Sequence, residues 1–160
     1  MRILVMSDGH GAVRDFEKIL DKHSDIKHIF YLGDGVEAVA ESVKFFTDRI
    51  FHLVSGNCDW GQNYPDYDET VLEGVRIIFT HGHRHGVKYT TENLKALADN
   101  VGAKLVLYGH THIAREEYQD GVYIVNPGAL KGAREGRESY AIIDLSKAGI
   151  CVNIIKVVER

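Results

Sequence analysis

The chain has 160 residues, 44 % of them hydrophobic and 26 % charged, the make-up of a globular protein that can bury a core without disulfides or a structural metal. A formal net charge of -4, from 19 Lys+Arg against 23 Asp+Glu, with no long basic run, argues against strong binding to a nucleic-acid backbone. Cys58 and Cys151 lack C-x-x-C spacing and suggest neither a zinc knuckle nor a disulfide framework, and the run Ile3–Met6 is too short for a signal-peptide core or a membrane span, so a cytoplasmic protein with no membrane partner is expected.

The length fits one domain, 1–160. Ile3 to Met6 reads as a buried strand, and Val13 to Lys22 as a helix with Phe16, Ile19 and Leu20 on one face. His28 to Leu32 reads as a strand, Val36 to Phe45 as a helix and Ile50 to Val54 as a third strand. This alternation predicts α/β packing with parallel strands. Thr70 to Leu72 and Val75 to Thr80 form a predicted hairpin turning at Glu73-Gly74. Thr91 to Val101 is a predicted helix stopping at Gly102, and Lys104 to Tyr108 a buried strand. Glu116 to Gln119 and Val122 to Asn126 flank the hairpin signal Asp120-Gly121. Ser139 to Leu145 and Ile150 to Val158 alternate as two terminal antiparallel strands. The sum is two sheets, one mostly parallel and one more antiparallel, with helices outside.

Polar residues fall in an informative place. Five apolar runs end in metal-ligand residue types beside glycine: Ser7-Asp8-Gly9-His10, Gly33-Asp34-Gly35, Ser55-Gly56-Asn57-Cys58-Asp59, Thr80-His81-Gly82-His83 and Gly109-His110-Thr111-His112. In α/β sheets, sites form at the C-terminal ends of strands, so all five segments are expected to meet. Asp8 or Asp34 alone reads better as a helix N-cap, and Asn57 alone as a turn residue. The repeated pattern reverses that weighting. Asp8, His10, Asp34, Asn57, His81, His110 and His112 supply oxygen and nitrogen ligands, which suit Mn, Fe, Zn, Ni or Co. Seven ligands exceed one catalytic zinc site and suit two metals bridged by a carboxylate.

The motifs D-x-H, G-D, G-N, H-G-H and G-H-T-H, in this order from Asp8 to the Asn126-Pro127-Gly128 turn, resemble the calcineurin-like metallophosphoesterase superfamily. Short length and the G-N-C-D form resemble its small prokaryotic YfcE-like branch. The resemblance implies a four-layer α/β/β/α sandwich of two mixed sheets, with metals at the C-terminal ends of strands. It implies Asp8, His10 and His112 on one divalent ion, Asn57, His81 and His110 on the other, and Asp34 bridging. Asp34, Asn57 and His110 are the expected catalytic residues, and Mn2+ the expected ion, with Ni2+, Co2+, Fe2+ or Zn2+ as alternatives. It further implies in-line attack of a metal-bound hydroxide on phosphorus.

In many superfamily members histidine follows the ligating asparagine and is taken to protonate the leaving oxygen; here the residue is Cys58. Either His83 or another group gives the proton, or the substrates carry leaving groups that need little help; the second reading is preferred. Asp59 is expected to orient a ligand from behind, and Cys58 and His83 to touch substrate or ligands. His23, His28 and His52 read as structural or solvent-facing, Cys151 as a small hydrophobe, and Lys131 to Arg137 as a solvated loop. A phosphodiesterase for small or nucleotide-type phosphodiesters is the leading reading, with monoesters possible. A scaffold that has lost catalysis, as in the retromer subunit of similar fold, would have lost ligands, and none of the seven is missing. A nuclease for polymers would be expected to bring a basic groove. A homodimer or higher homo-oligomer through the edges of the terminal strands is expected.

Overall fold

The computed structural model describes residues 1–158. In chain order the elements are β1 (Arg2–Met6), α1 (Val13–Lys22), β2 (His28–Tyr31), α2 (Val36–Val43), β3 (Ile50–Leu53), β4 (Tyr67–Leu72), β5 (Val75–Thr80), a 3-10 turn (His83–His85), α3 (Glu92–Val101), β6 (Leu105–Leu107), β7 (Arg115–Gln119), β8 (Val122–Asn126), β9 (Ser139–Ser146) and β10 (Gly149–Lys156). Two five-stranded sheets result, ordered β10-β9-β1-β2-β3 and β4-β5-β6-β8-β7.

Alternation along the strands makes the layers. On β1, Ile3 and Val5 join Phe30, Ile77, Phe79, Leu105, Leu107 and Val125 between the sheets. Leu4 and Met6 point the other way, onto Phe16, Ile19 and Leu20 of α1 and Val36 and Val39 of α2. The second sheet turns Ile78, Val106 and Ile124 onto Leu94 and Ala98 of α3. These three apolar clusters are the α/β/β/α sandwich, because each sheet has two buried faces and each helix one. Helix α3 ends where Gly102 takes φ 73°, a left-handed cap that a Cβ would disfavour.

Each sheet holds two parallel and two antiparallel ladders. The expectation of one mostly parallel sheet is therefore corrected: the C-terminal hairpin returns to the first sheet, where β9 pairs antiparallel with β1. Strand β9 is thus interior, and only β10 of the terminal pair presents an edge. Strand β4 begins three residues earlier than its alternation suggests, because Tyr67 to Glu69 pair with Ile78 to Thr80 along a solvated edge. Helix α2 stops at Val43, and tighter turns follow, with Phe45 N donating to Ser42 O and Phe46 N to Val43 O. Cys151 sits on the exposed face of β10 rather than in the core. Among the described residues, no helix is long and apolar enough to cross a membrane.

The histidines read as structural occupy packed positions. His23 Nε2 lies 2.9 Å from the Tyr140 hydroxyl. His28 Nδ1 lies 3.1 Å from His52 Nε2, and the His52 ring stacks on Phe30 at 4.2 Å. Burial, then repulsion from His28, pushes His52 down to about 4, against a weaker pull from Asp68. In the unfolded chain the same imidazole titrates near its ordinary 6.5. Between these values the unfolded state holds the extra proton, so this contribution to stability is lost as pH falls from 6.5 to 4. Discounted for solvent screening, the effect is about 1–2 kcal/mol. In urea titrations, native protein is expected to lose that much more stability than His52→Phe on going from neutral pH to pH 4. Equal losses would show that His52 does not supply the dependence.

Candidate metal centre

The C-terminal ends of β1, β2, β3, β5 and β6 open onto one end of the sandwich, and the five polar segments follow them. Backbone bonds lock the loops together. Asp8 N donates to Gly33 O at 3.0 Å, His10 N to Asp34 O at 3.0 Å, and Gly109 N to His81 O at 3.0 Å. Of the seven non-glycine residues with positive φ among the described residues, five are Asp8, His10, Asp34, His110 and His112; the other two, Glu73 and Asp120, occupy hairpin turns. Backbone strain of this kind clusters where side chains must be aimed, and it persists only when the surroundings enforce it.

Close approach to the carboxylates dictates glycine at positions 56 and 109. A Cβ on Gly56 would collide with the Asp34 carboxylate, and one on Gly109 with the Ser7 hydroxyl and the Asp8 carboxylate. Neither aspartate caps a helix: the N-caps of α1 and α2 are Ala12 and Gly35, with no side-chain cap bond. Both carboxylates instead point into the cluster and are buried.

Two groups of side chains can each hold an ion: Asp8, His10, Asp34 and His112, and Asp34, His81 and His110, with ligand atoms inside each group within 4.8 Å of one another. Asp34 belongs to both. Asn57 joins the second group, its Oδ1 3.1 Å from His81 Nε2. The cluster contains all seven residues singled out in the sequence.

The donor atoms fit divalent cations. Asp8 Oδ1 is buried without a hydrogen-bond partner. It faces His112 Nε2 at 3.2 Å and His81 Nε2 at 3.9 Å. His10 Nε2 and His112 Nε2 stand 3.3 Å apart, and His81 Nε2 and His110 Nδ1 3.2 Å apart. Such facing acceptors repel unless a cation or proton lies between them. Backbone carbonyls fix the ring orientations: His81 Nδ1 donates to Leu32 O at 2.6 Å, and His112 Nδ1 to Gly132 O at 2.9 Å. Each leaves Nε2 aimed inward, the arrangement that ligating histidines adopt.

Electrostatics agree. Burial would raise the Asp34 carboxyl, but the His81 ring and the Cys58 backbone N–H hold it well below the usual range. Burial would lower His81, yet Asp34 and Asp8 raise it on balance. The Asp8 carboxylate also raises His112, against burial. Burial, then repulsion from His81 and Lys88, pushes His110 down to about 4. The two carboxylates thus favour positive charge at the centre, whether it comes as protons or as metal ions.

The residues expected around the ligands are also placed. The Asp59 carboxylate accepts from four backbone N–H groups: Asp34 at 2.7 Å, Gly35 at 2.7 Å, Val36 at 3.0 Å and Gly56 at 2.7 Å. Cys58 N donates to Asp34 Oδ1 at 2.8 Å, and its exposed thiol lies 3.4 Å from Asn57 Nδ2. Burial and then the Asp34 charge push that thiol up. The His83 ring lies 5.4 Å from His81 and 6.0 Å from His110, and burial followed by repulsion from His81 lowers it.

Several contacts escaped sequence reasoning. Ser7 Oγ donates to Asp8 Oδ2 at 2.6 Å. The buried Tyr31 hydroxyl accepts from Gly9 N and donates to Asp34 O at 3.0 Å. Asn126 Nδ2 donates to Gly109 O at 2.9 Å and Thr111 Oγ1 at 3.0 Å. The loop read as solvated lies against the site, with Lys131 N donating to Asp8 O at 3.2 Å and Arg134 N to His112 O at 3.1 Å. Of these, Ser7, Thr111 and Asn126 stood in motif segments without a role of their own, and Tyr31 stood in none.

Comparison with known proteins carries the same stamp. The chain is 32 % identical over 148 residues to a probable metallophosphoesterase, YsnB of Bacillus subtilis, covering 91 % of this chain and 85 % of that protein. It is 28 % identical over 169 residues to the phosphodiesterase YfcE of Escherichia coli, covering 90 % of this chain and 88 % of YfcE. A crystal structure of a predicted phosphoesterase from Streptococcus pneumoniae superposes with a TM-score of 0.86 at 27 % identity, covering 97 % of this chain and 88 % of that one. The model of the calcineurin-like phosphoesterase superfamily domain matches residues 1–148. By sequence and by fold, the chain belongs to the calcineurin-like phosphoesterase superfamily.

Proposed function

We propose that this protein is a phosphodiesterase for small or nucleotide-type phosphodiesters, working at a two-metal centre with Mn2+ as its ion, in a single cytoplasmic domain. One observation carries the reading: Asp34 is shared between two groups of ligands at one end of the sandwich. Asp8, His10 and His112 would hold one ion, Asn57, His81 and His110 the other, and Asp34 both. When bound, such ions supply an activated water and neutralise charge developing on the phosphoryl oxygens. The protein's part is to hold the ligands in register, through the Leu32 and Gly132 carbonyls behind two imidazoles and the Asp59 clamp behind Asp34. A chain of formal net charge -4 then attracts phosphate only locally, at the centre. The relative named a phosphodiesterase supports diesters over monoesters. The free edge of β10 is the surface this reading assigns to a homodimer.

Neither neighbour of the site is a ready proton donor. Burial and repulsion from His81 lower His83 from its ordinary value, and burial and the Asp34 charge push the Cys58 thiol up. Leaving groups that depart as stable anions are therefore favoured. Metal-stripped protein given Mn2+ is expected to hydrolyse bis(p-nitrophenyl) phosphate. Its rate should fall about tenfold or more for each step to a markedly more basic aryl leaving group. A rate independent of leaving-group pKa would sink the missing-acid reading. Absence of hydrolysis with Mn2+, Ni2+, Co2+, Fe2+ and Zn2+ would sink the enzyme.

A further inference from the structure

A groove of about 400 Å³ adjoins the centre. Its lining includes His10, Cys58 and Asp59 beside the centre, Glu37 and Ala38 of α2, and Trp60 and Gln62. Its size lies within the roughly 300–1,000 Å³ of small-ligand sites. Trp60 is the only tryptophan of the chain and is 87 % exposed. An indole held in water beside a candidate metal centre is a large unsatisfied apolar surface.

Trp60 is not on a loose loop. The preceding residue, Asp59, is bound to four backbone N–H groups of two loops, and its own N–H donates to Gly56 O at 3.3 Å. The backbone that carries the indole is therefore anchored beside the loops that bear Asp34 and Asn57. A planar group is the indole's natural partner, because stacking uses the whole ring face.

The groove's other groups narrow the class. Glu37 offers a carboxylate and Gln62 an amide, so a purely hydrocarbon occupant would strip water from both without replacing its hydrogen bonds. The Glu37 charge also disfavours a second phosphate in the groove. A nucleoside satisfies these conditions: a flat base for Trp60, with ribose hydroxyls and base edge for Glu37 and Gln62.

We propose that the groove is a nucleoside subsite in which Trp60 stacks on the base of a nucleotide-type phosphodiester whose phosphate lies at the candidate metal centre. The proposal rests on the phosphodiesterase reading for the position of the phosphate, but its test needs no turnover. Adenosine 5′-monophosphate and ribose 5-phosphate are titrated into Mn2+-loaded protein. The first is expected to quench the single tryptophan and, by calorimetry, to bind about tenfold more tightly than the second. That preference should vanish in Trp60→Ala and survive in Trp60→Phe. Equal binding of the two phosphates, or a preference untouched by Trp60→Ala, would overturn the subsite. Failure of the phosphodiesterase reading appears separately, as absent metal-dependent hydrolysis of bis(p-nitrophenyl) phosphate.

Discussion

Asp34→Asn is expected to lower Mn2+-dependent diester hydrolysis by on the order of 10³-fold or more. The Asp34 side chain is buried and has its two oxygens differently engaged. Oδ1 accepts from Cys58 N at 2.8 Å, while Oδ2 faces His81 Nε2 at 3.4 Å and His10 Nε2 at 3.8 Å. Asparagine keeps the shape and can keep the Cys58 bond through its oxygen. The side toward the two histidines then presents an NH2 group, which cannot ligate a cation, and one of the two carboxylate charges is gone. Because Asp34 serves both ligand groups, the change weakens both. Loss of a residue behind a ligand typically lowers metal affinity by about 10–100-fold, and loss of a shared ligand exceeds that. A second readout does not depend on turnover. Ligand at about 100 times its Kd stabilises a fold by about 2.7 kcal/mol, so native protein should melt at a higher temperature with Mn2+, and Asp34→Asn should show little shift. Native-like activity together with a native-like shift in the variant would remove Asp34 from the centre.

Each ligand loop announced itself because an apolar run, a glycine and a metal-ligand residue stood side by side, and parallel strands carry such loop residues to one end of a sheet. For either aspartate alone local sequence favours the cap; the repeated pattern reverses that weighting, and the placement of the carboxylates agrees with the reversal. What lay beyond reach was pairing between distant segments. Alternation marks β9 as a strand, but nothing within Ser139–Ser146 states that its neighbour is β1, near the other end of the chain. The loop around Gly132 was misread for a related reason. It supports His112 through a backbone carbonyl, and a carbonyl leaves no trace in residue identity. Tyr31 and Ser7 were hidden because a tyrosine in a strand and a serine at its end usually have blander roles. Asp59 was legible only as a polar neighbour of a ligand; its four backbone partners are Asp34, Gly35 and Val36 of one segment and Gly56 of another.

That clamp supports a second large effect. Asp59→Ala is expected to destabilise the protein by about 3–5 kcal/mol and to weaken Mn2+ binding by about 10–100-fold. Asp59 Oδ1 accepts from Gly35 and Val36, at the start of α2, and Oδ2 accepts from Asp34 and Gly56. Alanine leaves four N–H groups without their acceptor. A buried unsatisfied group costs about 1–3 kcal/mol, and water reaching this half-buried position recovers part of the total. Asp59→Asn separates the two consequences. Its amide oxygen can still serve one pair of donors, but its NH2 group meets the other pair donor to donor. If the oxygen keeps α2 capped, the loop carrying Asp34 and Gly56 is the one released. Urea unfolding then shows a smaller loss than in Asp59→Ala, while Mn2+ affinity falls nearly as far. Stability of the metal-free protein and affinity for the metal, measured on both variants, are therefore two independent readings of one carboxylate. A melting temperature within a degree of native in Asp59→Ala, with unchanged Mn2+ affinity, would mean that the loops are held by their other contacts, among them His10 N to Asp34 O and Cys58 N to Asp34 Oδ1. A large loss of stability with metal affinity intact would make Asp59 a pillar of the fold only. The expected joint loss follows from its position, one carboxylate spanning the two loops that place Asp34 and Asn57.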